Sequence, residues 1–164
     1  MISCGFSGSF QYPFPLMSHI ENITEISAPP EKVFDVVSNL TAWPRYLPHY
    51  RWIRVMENHP HSQIVRMACY RGCLPIDWVS RFHADRATKK LYFEHLKAFT
   101  KGMKVVWDLD PIGDGTATRV TIRHEMEPVK QRWGSWITDH VIGGFFIDYI
   151  ATRTLRNFRK YFEP

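Results

Sequence analysis

The first third of the chain changes from a strand-like pattern of apolar residues to a helical one. Ile20, Ile23 and Ile26 indicate a strand over Ser18–Ser27. Pro29-Pro30 ends this strand, because proline donates no ladder hydrogen bond, and proline is well suited to a first helical turn. Apolar residues then recur at helical spacing, at Val33, Phe34, Val36, Val37 and Leu40. The pair Trp43-Pro44 is a second helix start, so the segment predicts a strand followed by two short helices.

From Arg51 onward the apolar residues alternate with polar ones and predict a run of short strands. The predicted strands are Trp52–Asn58, Ser62–Gly72, Leu74–Ala84, Lys90–Ala98, Met103–Asp110 and Thr116–Met126. Their separators are short and rich in turn-forming residues, which implies antiparallel neighbours in a meander. A long helix is predicted over Gln131–Phe162. The order predicts an α+β fold in which about seven antiparallel strands curve around a long C-terminal helix. Residues 1–17 are expected to be an irregular tail, and residues 18–164 a single domain.

Composition narrows the possible partners. Aromatic residues reach 15%, enough either to fill a core or to line a ligand cavity. The net charge of +5 weakly favours an anionic ligand or a membrane surface and does not indicate nucleic acid. The basic residues near the C-terminus suit the negative end of a helix, and a transient contact with an anionic membrane is the alternative; they are Arg153, Arg156, Arg159 and Lys160.

Cysteine usage and the absence of known motifs limit the chemistry further. Cys4, Cys69 and Cys73 form an odd set without a disulfide-framework spacing, so we expect a cytoplasmic protein. The pair Cys69 and Cys73 has no second cysteine pair, and no phosphate-binding loop appears. We therefore predict neither a metal nor a cofactor. The apolar stretch Val141–Ala151 is too short to span a bilayer.

Alternation within the predicted strands separates an inner face from an outer one. On the strand Leu74–Ala84 one face carries Ile76, Trp78, Ser80 and Phe82, and the other carries Asp77, Val79, Arg81 and His83. The more apolar face is expected to point inward. Trp107 lies on an apolar strand face as well, and His124 interrupts an otherwise apolar one. Trp43 and Trp78 are candidate ligand contacts or plain core residues, and His124 is a candidate base or a hydrogen-bonded interior histidine.

These motifs resemble a known superfamily. The element order is similar to the helix-grip fold of the Bet v 1, START and polyketide cyclase superfamily, over nearly all of Ser18–Phe162. The segment SAPPEKVFDVVSNLTAWPRYLPHY (27–50) resembles the start of bacterial aromatase/cyclases, and WVS (78–80), DGTATRV (114–120) and HEM (124–126) continue the likeness. The resemblance implies a polyketide pocket lined by Trp43, Tyr50, Trp78 and Ser80. Those enzymes carry an arginine two residues after that serine, where this chain has Phe82.

Together the pattern and the resemblance define one set of candidate site residues. The predicted ligand contacts are Trp43, Tyr50, Trp78, Ser80, Phe82, Trp107 and His124. If a reaction occurs, His124 is the expected acid or base, because imidazole titrates near neutral pH, and Tyr50 and Ser80 would orient a substrate oxygen.

Three functions remain open from the sequence. The first is binding or transport of a hydrophobic small molecule, such as a lipid, an isoprenoid quinone or a polyketide, as in the coenzyme Q-binding and lipid-binding members of the superfamily. The alternative is a polyketide aromatase/cyclase or dehydratase that folds a poly-keto chain. The third is an interaction module whose cavity has no ligand. Because this chain has Phe82 where the aromatases have an arginine, binding or transport is the favoured function of the three.

Overall fold

In the computed structural model, which describes residues 18–97, 100–126 and 147–163, the chain begins with a strand and a proline-led helix. Strand β1 (Ser18–Ile26) is followed by helix α1 (Pro30–Val37), which has Pro29 at its N-cap position and buries Val33, Phe34 and Val37. A 3₁₀ turn (Leu40–Ala42) leads into the short helix α2 (Trp43–Tyr46), whose Trp43 is buried. The predicted strand and two short helices are confirmed.

The described residues then form a seven-stranded antiparallel sheet in the order β1-β7-β6-β5-β4-β3-β2. Its remaining strands are β2 (Tyr50–His59), β3 (Ser62–Arg71), β4 (Leu74–Asp85), β5 (Lys90–His95), β6 (Lys104–Ile112) and β7 (Ala117–Met126). Strands β2 to β7 pair with their sequence neighbours, which confirms the predicted meander, and β1 closes the other edge by pairing with β7. The predicted helix-grip architecture is therefore confirmed.

The last described helix, α3 (Asp148–Phe162), packs against the concave face of the sheet and buries Ala151, Thr154, Leu155 and Phe158. Its start is held to β1, because the Asn22 side chain donates to Asp148 Oδ1 at 2.6 Å. The first part of the predicted C-terminal helix, residues 131–146, and the predicted tail 1–17 lie outside the described residues. No helix of the described part is both long and apolar enough to cross a membrane.

Several strand boundaries differ from the prediction by one to three residues, and two of these differences have clear local reasons. Strand β2 begins at Tyr50 and not at Trp52, with a register shift between these residues. Strand β5 ends at His95, three residues before the predicted end, because the chain turns back there. The amide of His95 donates to the Met103 carbonyl at 2.9 Å, and Gly102, at a φ of +89°, donates back to the His95 carbonyl at 2.8 Å. The turn brings the loop between β5 and β6 under the sheet.

The two faces of the sheet differ as the alternation predicts. On β4, Ser80 and Phe82 are buried while Arg81 and His83 are exposed. The outer face carries cross-strand ion pairs, including Arg66 with Asp77 at 2.6 Å and Arg81 with Glu94. The inner face is apolar and aromatic, so the space between it and α3 holds the core and the only large set of inward-facing rings among the described residues.

Candidate functional site

A cavity of about 80 Å³ lies between the concave face of the sheet and α3. Its described lining comes from α2, from strands β2 to β7, from the loop between β5 and β6, and from the start of α3. These lining residues are Trp43, Tyr50, Met67, Ile76, Trp78, Phe93, His95, Thr100, Met103, Val105, Trp107, Ile122, His124, Ile147, Ile150, Ala151 and Thr154. The volume holds several water molecules at about 10–15 Å³ each. A ligand of several rings would need more room, because pockets for such molecules measure about 300–1,000 Å³.

One side of the cavity is a tightly packed aromatic wall around Trp43. The Trp43 ring lies 5.3 Å from Tyr50, 5.4 Å from Trp107 and 5.6 Å from Phe158, measured between ring centroids. These separations are typical of favourable aromatic pairs. The indole nitrogen of Trp43 donates to the Val37 carbonyl at 2.9 Å. Trp43 therefore offers a ligand its ring face, since its one hydrogen-bond donor is already used.

Two buried imidazoles also line the cavity, His95 from β5 and His124 from β7. His95 Nδ1 lies 2.6 Å from the Thr100 hydroxyl, and its ring stacks on Trp78 with centroids 5.9 Å apart. Burial, and after it the neighbouring His124, lowers the pKa of His95 to about 3. His95 is therefore neutral near pH 7, and the two imidazoles are close enough that a charge on one disfavours a charge on the other.

A second polar group lies under α3 and consists of His49, Tyr50 and Thr154. His49 Nε2 lies 3.0 Å from Thr154 Oγ1, and the same hydroxyl hydrogen-bonds with Tyr50. Burial, and after it the charge of Arg153, lowers the pKa of His49 to about 4. Burial also raises the pKa of Tyr50 far above its usual value, so its phenol keeps its proton. We call this set the Thr154 cluster. Tyr50 and Thr154 line the cavity, and His49, which is not among the lining residues, contacts the Thr154 hydroxyl.

The electrostatic character of the cavity follows from these groups. The described lining contains no Arg, Lys, Asp or Glu. Its polar groups are hydroxyls and imidazoles, which can donate or accept hydrogen bonds depending on tautomer and rotamer. The site therefore suits a largely apolar molecule that carries a few uncharged oxygen groups.

The structure brings together most, but not all, of the residues proposed from the sequence. Trp43, Tyr50, Trp78, Trp107 and His124 line the cavity. Ser80 and Phe82 point inward but are not among the lining residues.

The positions of these two residues have simple packing reasons. Phe82 packs against its register partner Phe93 with centroids 4.9 Å apart, and of the two only Phe93 is among the lining residues. Ser80 is fully buried between its register partners Val65 and His95, and its hydroxyl has no hydrogen-bond partner in the described structure. As ligand contacts, Ser80 and Phe82 remain predictions.

Sequence reasoning missed four polar residues of this site, namely His49, His95, Thr100 and Thr154. A signal existed for His95, because it shares a strand face with the buried Leu91 and Phe93. His49 precedes β2 in the segment Leu47-Pro48-His49, and Thr100 lies in the loop between β5 and β6. Loop positions have no periodicity, so the sequence gives no sign of their burial.

Comparison with known proteins agrees with this geometry. Residues 17–163 match the family described as polyketide cyclase / dehydrase and lipid transport. The chain belongs to this family. A Streptomyces cyaneus relative, named "Putative polyketide cyclase", is 27% identical over 118 residues, which cover 69% of this chain and 76% of the relative.

Solved structures share the fold at lower identity. The Zhui aromatase/cyclase from Streptomyces sp. R1128 superposes with a TM-score of 0.78 at 17% identity, covering 90% of this chain and 94% of that one. A START superfamily protein from Mycobacterium smegmatis gives a TM-score of 0.66 at 13% identity, over 87% of this chain and 98% of that one. An aromatase/cyclase and a START superfamily protein therefore share the helix-grip architecture of this chain. Because one fold supports several functions, the function has to be argued from the residues of the cavity.

Proposed function

We propose that the protein binds a hydrophobic small molecule with uncharged oxygen groups, of the polyketide or quinone type, in the cavity under α3. The observation that supports this most directly is the presence, in one cavity, of the aromatic wall around Trp43 together with imidazoles and hydroxyls and without charged side chains in the described lining. Apolar walls gain from burying rings, and a few placed polar groups fix the orientation of a ligand. The membership of a family that includes lipid transport supports the same class of ligand.

Binding requires the cavity to widen, and its half-buried side chains are the ones that can move. Ile76, Trp78 and Ile150 are only partly buried, while Trp43 and Trp107 are buried. Ile76 and Trp78 lie near the start of β4 and Ile150 lies near the start of α3, and all three line the cavity. Outward rotation of these side chains would enlarge the space without disturbing the packed wall.

Binding can be tested with a hydroxylated anthraquinone, an oxygen-bearing three-ring molecule, titrated against tryptophan fluorescence. We expect it to bind at least about tenfold more tightly than anthracene, because each hydrogen bond that the polar groups form adds about 1 kcal/mol. Ala151→Leu adds a side chain into the cavity and should abolish binding. Thr152→Leu, one residue along α3 and exposed, is the matched control and should bind normally. Native mass spectrometry of the purified protein would identify a natural ligand that purifies with it.

A second candidate, cyclisation or dehydration of a poly-keto chain, is favoured by the two imidazoles in the cavity. A neutral imidazole can take a proton from a methylene flanked by two carbonyls, and the resulting enolate carbon can attack a ketone carbonyl of the same chain. The new alkoxide takes up a proton, and loss of water then forms a double bond. We propose His124 as the acid/base, because the pKa of His95, about 3, makes His95 a weak base.

The enolate would be stabilised by hydrogen bonds and not by a cation, since the described lining holds no Arg or Lys. The protonated Tyr50 phenol and the Thr100 hydroxyl are candidate donors, since both line the cavity. Ser80 keeps the predicted role of a substrate-orienting hydroxyl only if the ligand reaches past His95.

This candidate is tested by incubating the protein with a poly-β-keto thioester mimic and following the loss of one water by mass spectrometry. The His124→Ala variant should lose turnover by about 10²–10⁴-fold, the usual contribution of a general acid or base. Normal turnover by this variant would remove His124 from the mechanism. A lack of turnover by the unmutated protein, together with anthraquinone binding, would leave binding as the function.

A further inference from the structure

The exposed side of α3 carries a row of positive charges. Arg153, Arg156 and Lys160 are spaced three and four residues apart, so they lie on one face of the helix, opposite the buried residues Leu155 and Phe158. None of these three cations forms an ion pair within the described residues. Like charges at this spacing repel one another, so the row gains from a nearby anion.

The row differs from several other surface cations, which form ion pairs. Arg66 pairs with Asp77, Arg119 with Glu25 at 2.9 Å, and Arg159 with Glu163 at 2.9 Å. The sequence alone grouped Arg159 with the row, but its partner Glu163 neutralises it. In the cleft beside the row, Asp148 is the one described carboxylate, and it already accepts a hydrogen bond from Asn22.

The row continues onto the tip of the β3–β4 hairpin. The Arg71 guanidinium lies 5.0 Å from the ring centre of Tyr149, and Arg153 lies 5.8 Å from the same ring and donates to its hydroxyl. Arg71 is the register partner of Leu74 across the two-residue turn. Leu74 is 51% exposed and Tyr70 is 39% exposed. Exposed apolar side chains therefore stand beside the basic helix face.

The same tip leads directly to the cavity. Leu74, Ile76 and Trp78 follow one another at every second position of β4 and pass from exposed to half-buried. Ile76 and Trp78 line the cavity, as does Ile150, the residue after Tyr149 on α3. The basic face, the apolar tip and the movable side of the cavity therefore meet at one end of the molecule.

We propose that this end is a docking surface for an anionic phospholipid bilayer, formed by Arg153, Arg156 and Lys160 with Leu74 at its tip. The cations match the charge of anionic headgroups, and the exposed leucine and tyrosine match the apolar layer beneath them. A soluble phosphate would need only the cations. An acidic protein surface would also pair with them, but the apolar tip next to the cavity favours a bilayer, from which a poorly soluble ligand can be taken up. The proposal concerns delivery to the cavity, so it rests on the proposed binding function.

The test is flotation of the full chain with vesicles of phosphatidylcholine containing about one third phosphatidylglycerol. We expect binding to these vesicles and not to pure phosphatidylcholine, because each basic residue near an anionic surface contributes about fivefold in affinity. Raising the ionic strength from about 0.1 M to about 1 M should release the protein, since the Debye length falls from about 10 Å to about 3 Å.

Two pairs of variants locate the surface. Arg153→Gln/Arg156→Gln/Lys160→Gln should weaken vesicle binding on the order of 100-fold. The control Lys32→Gln/Arg81→Gln/Arg119→Gln removes three exposed cations elsewhere, gives the same net charge, and should weaken it little. Leu74→Ser should weaken binding several-fold. Its control, Met56→Ser, removes an apolar side chain that is 58% exposed on β2 and should bind as the unmutated protein does.

Several outcomes would overturn the proposal. No binding to the anionic vesicles would do so, and would leave an acidic protein as the occupant. Equal losses in the two triple variants would show a general charge effect. Full competition by glycerol phosphate at millimolar concentration would show a site for soluble phosphate. The vesicles carry no cavity ligand, and Ala151→Leu should float normally, so failure of the docking surface is distinguishable from failure of the binding function.

Discussion

Two halves of the interior use the same kinds of side chain but pack them differently. In the packed half, Trp43, Trp107 and Phe158 are buried and in mutual ring contact. In the open half, Trp78 is half-buried and stacks on His95 beside the cavity. A tryptophan in the first half contributes mainly to stability, whereas one in the second half borders a space that can change. The difference separates the part of the core that maintains the fold and forms a fixed wall of the cavity from the part whose side chains can move to admit a ligand.

The largest expected effect is on the stability of the packed half. Trp43→Ala should lower the free energy of unfolding by about 3–5 kcal/mol, because it leaves a cavity where a fully buried indole was. Trp78→Ala should cost only about 1–2 kcal/mol, since part of that ring is in contact with water in the folded state. Urea denaturation of both variants measures the difference. Equal losses would show that the two halves are packed alike.

The next effect is a loss of stability in acid from the two buried histidines. Unfolded histidine has a pKa near 6.5, while burial lowers the pKa of His49 to about 4 and that of His95 to about 3. The unfolded state therefore binds more protons below pH 6.5, so the stability from these neutral rings is fully present above pH 6.5 and falls as the pH decreases. Between pH 7 and pH 5 the loss should be about 2 kcal/mol for each histidine.

Single variants assign this pH dependence to its source. Replacing either ring, as His49→Gln or His95→Gln, should remove about half of the loss between pH 7 and pH 5, measured by urea denaturation at each pH. The exposed His61→Gln is the matched control and should leave the slope unchanged. A slope that survives both buried substitutions would mean that other groups titrate in this range.

How far the sequence could predict these regions depends on periodicity. The inward faces of β4, β6 and β7 followed from alternation, and Trp78, Trp107 and His124 lie inside as expected. Phe82 shows the limit of that reasoning, because alternation predicts which face of the sheet a side chain lies on but not whether that side chain borders the cavity. Phe82 and its register partner Phe93 both point inward, but only Phe93 is among the lining residues. The polar side of the open half depends on Thr100, which reaches His95 only through the turn at Gly102.

A smaller effect on stability distinguishes the His95–Thr100 pair from the Thr154 cluster. Thr100→Val removes the hydroxyl at 2.6 Å from His95 Nδ1 and should cost about 1 kcal/mol, the usual value of a hydrogen bond. It should also shift the tautomer balance of His95, which nitrogen NMR of the ring detects. Thr154→Val removes the partner of His49 instead and is the matched control. If both variants changed the His95 ring signals equally, the two polar groups would be one coupled network.

The smallest expected change in stability is that of filling the open half. Ala151→Leu places its extra carbon atoms in the cavity of about 80 Å³ and should alter the free energy of unfolding by less than about 1 kcal/mol. Calorimetry compares it with the exposed Thr152→Leu. A loss of several kcal/mol for Ala151→Leu alone would show that the open half is as rigid as the packed half.

The pairing of β1 with β7 determines when the finished cavity can exist during synthesis. Ser18 is the register partner of Met126, and the Thr118 hydroxyl donates to the Ala28 carbonyl at 2.6 Å, so β1 completes its contacts with a segment that is synthesised much later. On the ribosome, β1 and the apolar faces of α1 and α2 must wait for β7 and α3 to emerge. Closure of the sheet is thus a late, long-range event. A hydrophobic ligand in the cell can therefore meet a complete cavity only after α3 has been translated.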